Sequence, residues 1–188
     1  HARHRQAFGR TLAAHALMRN VFADLALESE AATLLALRLA HAWEGEAPAE
    51  VALRRLLTPA AKFWVCKRAS AFVQEAMEVL GGNGYVEDSG MPRLYREAPL
   101  MGIWEGSGNV SALDTLRAMA TRPECVDVLF DELGTTAGND ARLDAHVAAL
   151  RDSGEHLLDL INDILDYSRI EAGDVALDAA PFDPEASA

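Results

Sequence analysis

Met91-Pro92-Arg93-Leu94-Tyr95-Arg96-Glu97-Ala98-Pro99-Leu100-Met101-Gly102-Ile103-Trp104-Glu105-Gly106-Ser107-Gly108-Asn109-Val110 is the stretch on which the reading of this chain turns. Most of it follows neither the period of an amphipathic helix nor the alternation of a strand. It gathers Arg, Glu, Trp and glycine around one acid, a loop composition that calls for a chemical reason. Glu105 is the candidate: it lies between an apolar stretch, Leu100 to Trp104, and the flexible, donor-rich Gly106-Ser107-Gly108-Asn109. Apolar neighbours desolvate a carboxylate and favour its protonated form, which suits a general base. The plainer alternative is a helix start, with Ser107 capping a helix through Leu113 and Leu116 and Glu105 as an exposed charge.

Working outward, helical patterns fill most of the chain. From His15 to about Trp43, leucines and Val21 recur at helical spacing with Asp24, Glu28 and Glu30 on other faces, predicting one long packing helix. Glu44-Gly45-Glu46-Ala47-Pro48 breaks it. Pro59 after Thr58 reads as the first position of a second helix, capped by Thr58 and running to Leu80. Gly81-Gly82-Asn83-Gly84 stops that helix. A third begins near Ser107 and ends before Arg122-Pro123. Abundant alanine and few aromatics favour helices packed closely on helices, so the expected fold class is all-α.

The net charge of −12 is uneven: residues 1 to 120 hold 13 Lys+Arg and 13 Asp+Glu, and residues 121 to 188 hold 4 and 16. The acidic tail makes the chain as a whole a poor partner for nucleic acid, although the first 120 residues alone are neutral. No apolar run is long enough to span a bilayer, and no secretory signal is read. Cys66 and Cys125 have no metal or redox spacing, so a reduced, cytoplasmic compartment is expected. Cys66, among Phe63, Trp64 and Val65, reads as a buried small hydrophobe. His15, His41 and His146 lack ligand spacing, and no metal is expected. Arg93 and Arg96 fall on one side of a short helical turn, where pairing with Glu97, Glu87 or Asp88 explains them.

Four segments in order, Arg5-Gln6-Ala7-Phe8-Gly9, Leu80-Gly81-Gly82-Asn83-Gly84-Tyr85, Arg93-Leu94-Tyr95-Arg96-Glu97 and Ile103-Trp104-Glu105-Gly106-Ser107, resemble signatures of the acyl-CoA dehydrogenase C-terminal domain. With Trp104 before the acid and Gly108-Asn109-Val110 after it, the chain most resembles the branch linked to the bacterial alkylation-damage response. The resemblance covers the first 120 residues well and fades before residue 150. It implies a helical bundle over residues 1–150, an FAD cofactor, an acyl-CoA-type substrate and a homo-oligomer. Glu105 matches the base that abstracts the α-proton of an acyl thioester while the β-hydrogen passes to flavin as hydride. Arg5 would contact the cofactor pyrophosphate and Phe8 would pack on the cofactor across a subunit interface. Gly81 and Gly82 would meet the dinucleotide there too, although by composition alone the pair is only a helix stop. Ser107 and Asn109 would follow the acid as cofactor-side or substrate-side contacts. The chain departs from the pattern at Glu78, where glutamine is frequent, at Ala16, where a polar residue is common, and at Trp104, where a larger ring would narrow the acyl pocket.

Ser153 to Gly173, with apolar residues at 157, 158, 161, 164 and 165, resembles the second helix of the dimerisation hairpin of sensor histidine kinases. The helix that would carry the phosphorylated histidine is absent and no nucleotide-binding motif follows, so kinase activity is not expected and His156 is assigned no phosphoacceptor role. The expected organisation is a dehydrogenase-like domain over 1–150, a kinase-like dimerisation helix over 151–173 and an acidic, proline-containing, disordered tail over 174–188. Two unrelated signatures meeting near residue 150 mark a chimera: an engineered fusion, a recombined gene or a misassembled sequence. The first part reads as an incomplete enzyme, without the N-terminal helical and central β domains of the family. The alternatives are a non-catalytic helical oligomerisation module and a DNA-protecting flavoprotein fragment of the alkylation-response type.

Overall fold

A computed structural model describes residues 1–135, 138 and 140–172, with side-chain surroundings beyond residue 161 described only for residue 163. Two compact units divide the chain, residues 1–137 and 138–188. The first opens with an antiparallel hairpin, β1 (Gln6–Ala7) and β2 (Arg10–Thr11), with Gln6 opposite Thr11 and Ala7 opposite Arg10. This small sheet is an addition to the helices that the sequence pattern predicts. Helices α1 (Ala16–Glu44), α2 (Pro48–Val79), α3 (Gly82–Tyr85), α4 (Met91–Met101), α5 (Gly108–Thr121) and α6 (Glu124–Gly134) follow.

Helix α2 is the centre of this unit, and α1, α4, α5 and α6 all pack on it. It begins at Pro48, whose missing N–H costs nothing in a first turn. The expected start at Pro59 is therefore corrected: Pro59 is buried inside a continuous helix. Its ring removes the bond that Arg55 C=O would accept, at an expected cost of about 3 kcal/mol. The helix continues because burial of its flanks outweighs that loss. Leu53 is fully buried, with Leu56 and Ala61 nearly so. Thr58 caps nothing; its hydroxyl donates to Arg54 C=O at 2.6 Å. The core is completed by Ala42 of α1, Ala118 and Met119 of α5, and Cys125, Val126 and Phe130 of α6. Small residues at several of these contacts allow close helix approach.

The first half of the quoted stretch is also corrected, because Met91–Met101 is helical rather than loop. Gly90, at φ 73, turns the chain into α4, Pro92 sits in the first turn, and Pro92 and Ala98 are buried. Pro99 comes late enough to share the end of the helix at Gly102. Arg93 bonds Glu97 at 3.2 Å and Arg96 bonds Glu87 at 2.8 Å, as their spacing predicts. Arg38 of α1 ties the bundle together, donating to Glu132 of α6 at 2.7 Å and to Glu50 of α2 at 2.8 Å.

In the second unit, α7 (Ala141–Ala172) starts upstream of the helical stripe read from Ser153. Asp140 accepts the Arg142 N–H at 2.8 Å at its start. The predicted tail, 174–188, lies outside the described residues. Among the described residues no helix is long and apolar enough to cross a membrane.

The Arg38 hydrogen bonds hold the Glu50 carboxyl below its ordinary value of 4.5. The unfolded chain then binds the proton more readily than the native one, so this stabilisation is full above pH 4.5 and fades as pH falls through the native value. Acid titration of urea midpoints is expected to show this loss, and Arg38→Met is expected to flatten it; an unchanged acid limb would contradict the assignment.

Candidate functional site

The acid lies between two helices that stop and start around it. Helix α4 ends at Gly102, where Gly102 N–H bonds Pro99 C=O at 3.1 Å and Trp104 N–H bonds Leu100 C=O at 3.1 Å. Helix α5 starts at Gly108, packed so tightly that an added Cβ would lie 2.7 Å from Lys67 Cε. Between them Glu105 has φ 51 and Gly106 has φ 104. Among the described residues the only other non-glycine with positive φ is Phe8, at 52. Left-handed backbone costs an ordinary residue about 1–2 kcal/mol, and such strain gathers at functional sites. Both strained positions are site candidates from the sequence.

Lys62, one helical turn beyond Pro59, holds this loop. Its Nζ donates to Trp104 C=O at 2.6 Å and to Gly106 C=O at 2.5 Å, the carbonyls on either side of Glu105. Sequence reading missed it, since a lysine on a long helix ordinarily marks a solvated face. Arg55 is not singled out by the sequence either. It makes two 2.9 Å bonds to Asp114, fixing α5 against α2 beside the acid. Arg54 instead donates to the carbonyls of Ala42, Trp43 and Gly45, closing the end of α1.

Glu105 opens onto a groove of about 740 Å³ whose walls include Trp43, Val51, Thr58, Lys62, Val110 and Leu113. The acid itself is exposed, so the desolvation expected from Leu100–Trp104 is not supplied by this chain's fold. Ile103 and Trp104 are 65% and 51% exposed and turn to solvent. Trp104 is absent from the groove wall, where Gly106 and Val110 stand. Ser107 occupies the N-cap position of α5, but its hydroxyl caps nothing and only its carbonyl accepts, from Ser111 N–H at 2.9 Å. Asn109 is exposed in the first turn of α5.

The other candidates meet elsewhere. Arg5, Glu78, Gly81 and Gly82 line a separate cleft of about 420 Å³ together with Asn83 and Leu12. Gly81 has φ 58, and a Cβ at either Gly81 or Gly82 would meet nothing within 4 Å, so this corner is open to a close approach. Gly84 differs: a Cβ there would lie 2.2 Å from Met77 C=O, making it a packing glycine. Phe8 shares the hairpin turn with Gly9, both at positive φ, as in a two-residue type I′ turn. Its ring is 97% exposed and meets His15 edge-on, with centroids 6.2 Å apart. His15 in turn bonds Ala7 C=O at 3.0 Å, so this lone histidine braces the turn that displays Phe8. Neither cleft is lined by both the Glu105 set and the Arg5 set. Cys66 is half-buried rather than buried; Cys125 is the fully buried thiol, and burial raises it.

Two stability measurements follow. Glycine is ordinarily less stable than alanine inside a folded chain, but at the Glu105 backbone angle the order reverses, so Glu105→Gly is expected to exceed Glu105→Ala by about 1 kcal/mol in urea unfolding. The ordinary order would contradict a left-handed Glu105. Gly84→Ala is expected to cost about 2 kcal/mol through its clash with Met77, with Gly82→Ala nearly neutral; equal losses would contradict the division of roles at this corner.

The family comparison covers the unit just described. The acyl-CoA dehydrogenase C-terminal domain family matches residues 1–120. AidB of Escherichia coli (strain K12) is 49% identical over 152 residues, 80% of this chain and 28% of AidB. The crystal structure of Caenorhabditis elegans ACDH-11 in complex with C11-CoA aligns with TM-score 0.77 and 29% identity, over 88% of this chain and 29% of that one. Circadian input-output histidine kinase CikA of Synechococcus elongatus is 65% identical over a stretch of 37 residues, 20% of this chain and 5% of CikA. The chain thus spans little more than a quarter of the dehydrogenase relatives and carries a short histidine-kinase-like stretch. With its helical fold and the AidB match bearing out the alkylation-response resemblance, this chain belongs to the acyl-CoA dehydrogenase C-terminal domain family.

Proposed function

We propose that residues 1–120 supply the base and part of the cofactor contacts of an FAD-dependent acyl-CoA dehydrogenase-type oxidoreductase. The observation that carries this reading is the strained backbone at Glu105, held between two lysine-bound carbonyls at the mouth of a groove. Strain is retained where displaying a side chain matters more than stability. The residues fit a flavin dinucleotide: Arg5 offers a guanidinium for pyrophosphate, Gly81 and Gly82 leave open backbone beside it, and Phe8 presents an uncovered ring. Glu78 in the same cleft opposes that charge, and Arg5 outweighs it only by direct contact.

The Glu105 carboxylate takes the α-proton of an acyl thioester, and the electron pair of that C–H bond becomes the new carbon–carbon double bond. When bound, flavin supplies the acceptor for the β-hydrogen, which leaves as hydride. Among the described residues no ion pair or hydrogen bond occupies the Glu105 carboxylate, so it is free to accept. Among the described residues its own backbone N–H also donates to no protein acceptor, and it is available to a developing enolate oxygen. The base stands on this chain's open surface, so water is excluded only once further parts of the protein or a second copy cover it.

The two separate clefts support the homo-oligomer reading, in which the Arg5 corner serves the cofactor of a neighbouring copy. Leu17, Leu27, Leu34 and Leu37 of α1 are each more than half exposed, an apolar face suited to assembly. The same face favours the second reading, a non-catalytic oligomerisation module. To separate them, residues 1–120 are placed in AidB in place of its matching segment. The protein is expected to purify with flavin and to be reduced by an acyl-CoA, with Glu105→Gln keeping the flavin and slowing reduction about 10³-fold. Reduction that is equal in both, or flavin lost from both, would contradict the base assignment or the cofactor assignment respectively.

A further inference from the structure

We infer that Lys62 is a positioning residue for Glu105, a role that rests on the reading of Glu105 as the base. Three observations converge on it. Lys62 is carried by the one helix on which the rest of its unit packs, so its backbone is fixed independently of the loop. Its ammonium reaches 40 residues or more along the sequence to grip both carbonyls flanking the acid, at 2.6 and 2.5 Å. Those carbonyls belong to a segment outside both helices, in which Glu105 and Gly106 hold positive φ side by side.

Within this segment the Trp104 and Gly106 carbonyls serve no backbone N–H among the described residues. Without a donor, the peptide plane before Glu105 and the plane after Gly106, which bracket the two positive-φ residues, are free to rotate toward the right-handed conformations that a glutamate prefers. Charge-assisted bonds at both planes oppose that rotation, and each is stronger than a neutral hydrogen bond. The arrangement also keeps the lysine off the acid. Lys62 and Glu105 both line the groove, yet they form no ion pair within 4.0 Å; a lysine paired with a base would hold its carboxylate ionised and blunt it as a proton acceptor. Lys62 directs its charge to the backbone and leaves the carboxylate unpaired.

The test is amide hydrogen exchange of the 188-residue chain, read at Trp104 and Ser111, whose N–H groups close the two ends of the loop. Lys62→Met keeps the apolar stem and removes the donors. It is expected to speed exchange at these amides about tenfold, with those of Leu53 and Leu56 unchanged, and Lys62→Arg is expected to restore most of the protection. A rise spread evenly along α2 and α5 would mean a purely structural lysine, and no rise would mean that the contacts do not hold the loop; either result overturns the inference. In the AidB exchange protein, Lys62→Met is expected to slow flavin reduction at least tenfold at saturating acyl-CoA, with flavin content and acyl-CoA affinity retained, whereas an unchanged rate would overturn it. Glu105→Gln is expected to leave loop protection as it is. Failure of the base reading would therefore be seen in flavin reduction by that variant, and failure of the positioning role in the exchange rates of the Lys62 variants.

Discussion

Helix α2 has to run unbroken through Pro59, and the geometry around Glu105 depends on that continuity. Upstream of the proline the helix buries Leu53 and Leu56 and sends Arg55 to Asp114; just downstream it sends Lys62 to the acid loop. A helix ending at Thr58 would separate the anchored half from the half that grips the loop. The lost backbone bond costs about 3 kcal/mol, comparable to burying one or two large apolar side chains, and the flanks of Pro59 bury more than that. Packing therefore decides the matter against local propensity.

Strain is distributed with similar economy. Glu105 and Phe8 both hold left-handed backbone, and each is braced by a side chain from another element that bonds backbone carbonyls beside it. Lys62 bonds the carbonyls around Glu105, and His15 bonds the carbonyl before Phe8. Glu105 lines its groove, whereas Phe8 stands on the hairpin turn and lines neither that groove nor the Arg5 cleft. The exposed ring on the hairpin and the exposed acid at the groove accord with the proposed assembly, in which copies complete each other's sites.

Much of this was legible from residue pattern. Helix α1 showed itself by leucine periodicity, its end by the Glu44–Pro48 break, and α5 by the helical pattern from near Ser107 that stops at Arg122-Pro123. Glu105 stood out because an acid beside Gly-Ser-Gly in a non-periodic segment is uncommon. What stayed hidden depended on contacts distant in sequence. Nothing near Lys62 signals a loop 42 residues away, and Pro59 mimics a helix start unless the burial of its flanks is known. The loop composition of Met91–Met101 misled because two prolines and three charges mask a helix that buries only Pro92 and Ala98. The exposure of Glu105 agrees with the plainer reading of a helix start, and the desolvated reading does not hold because the apolar residues beside it in sequence turn outward in space.

On the proposed reading the acid is desolvated from outside these elements, and the flavin contacts supplied by residues 1–120 are few. Whether they suffice is decided by the absorbance spectrum of the purified chain, recorded after mixing with FAD and gel filtration, beside its mass in solution. The expected result is a yellow species whose mass is a multiple of 20.3 kDa, since the proposal has the Arg5 corner serve the Glu105 groove of a neighbouring copy. A colourless monomer would contradict it, leaving a strained glutamate with no cofactor to serve.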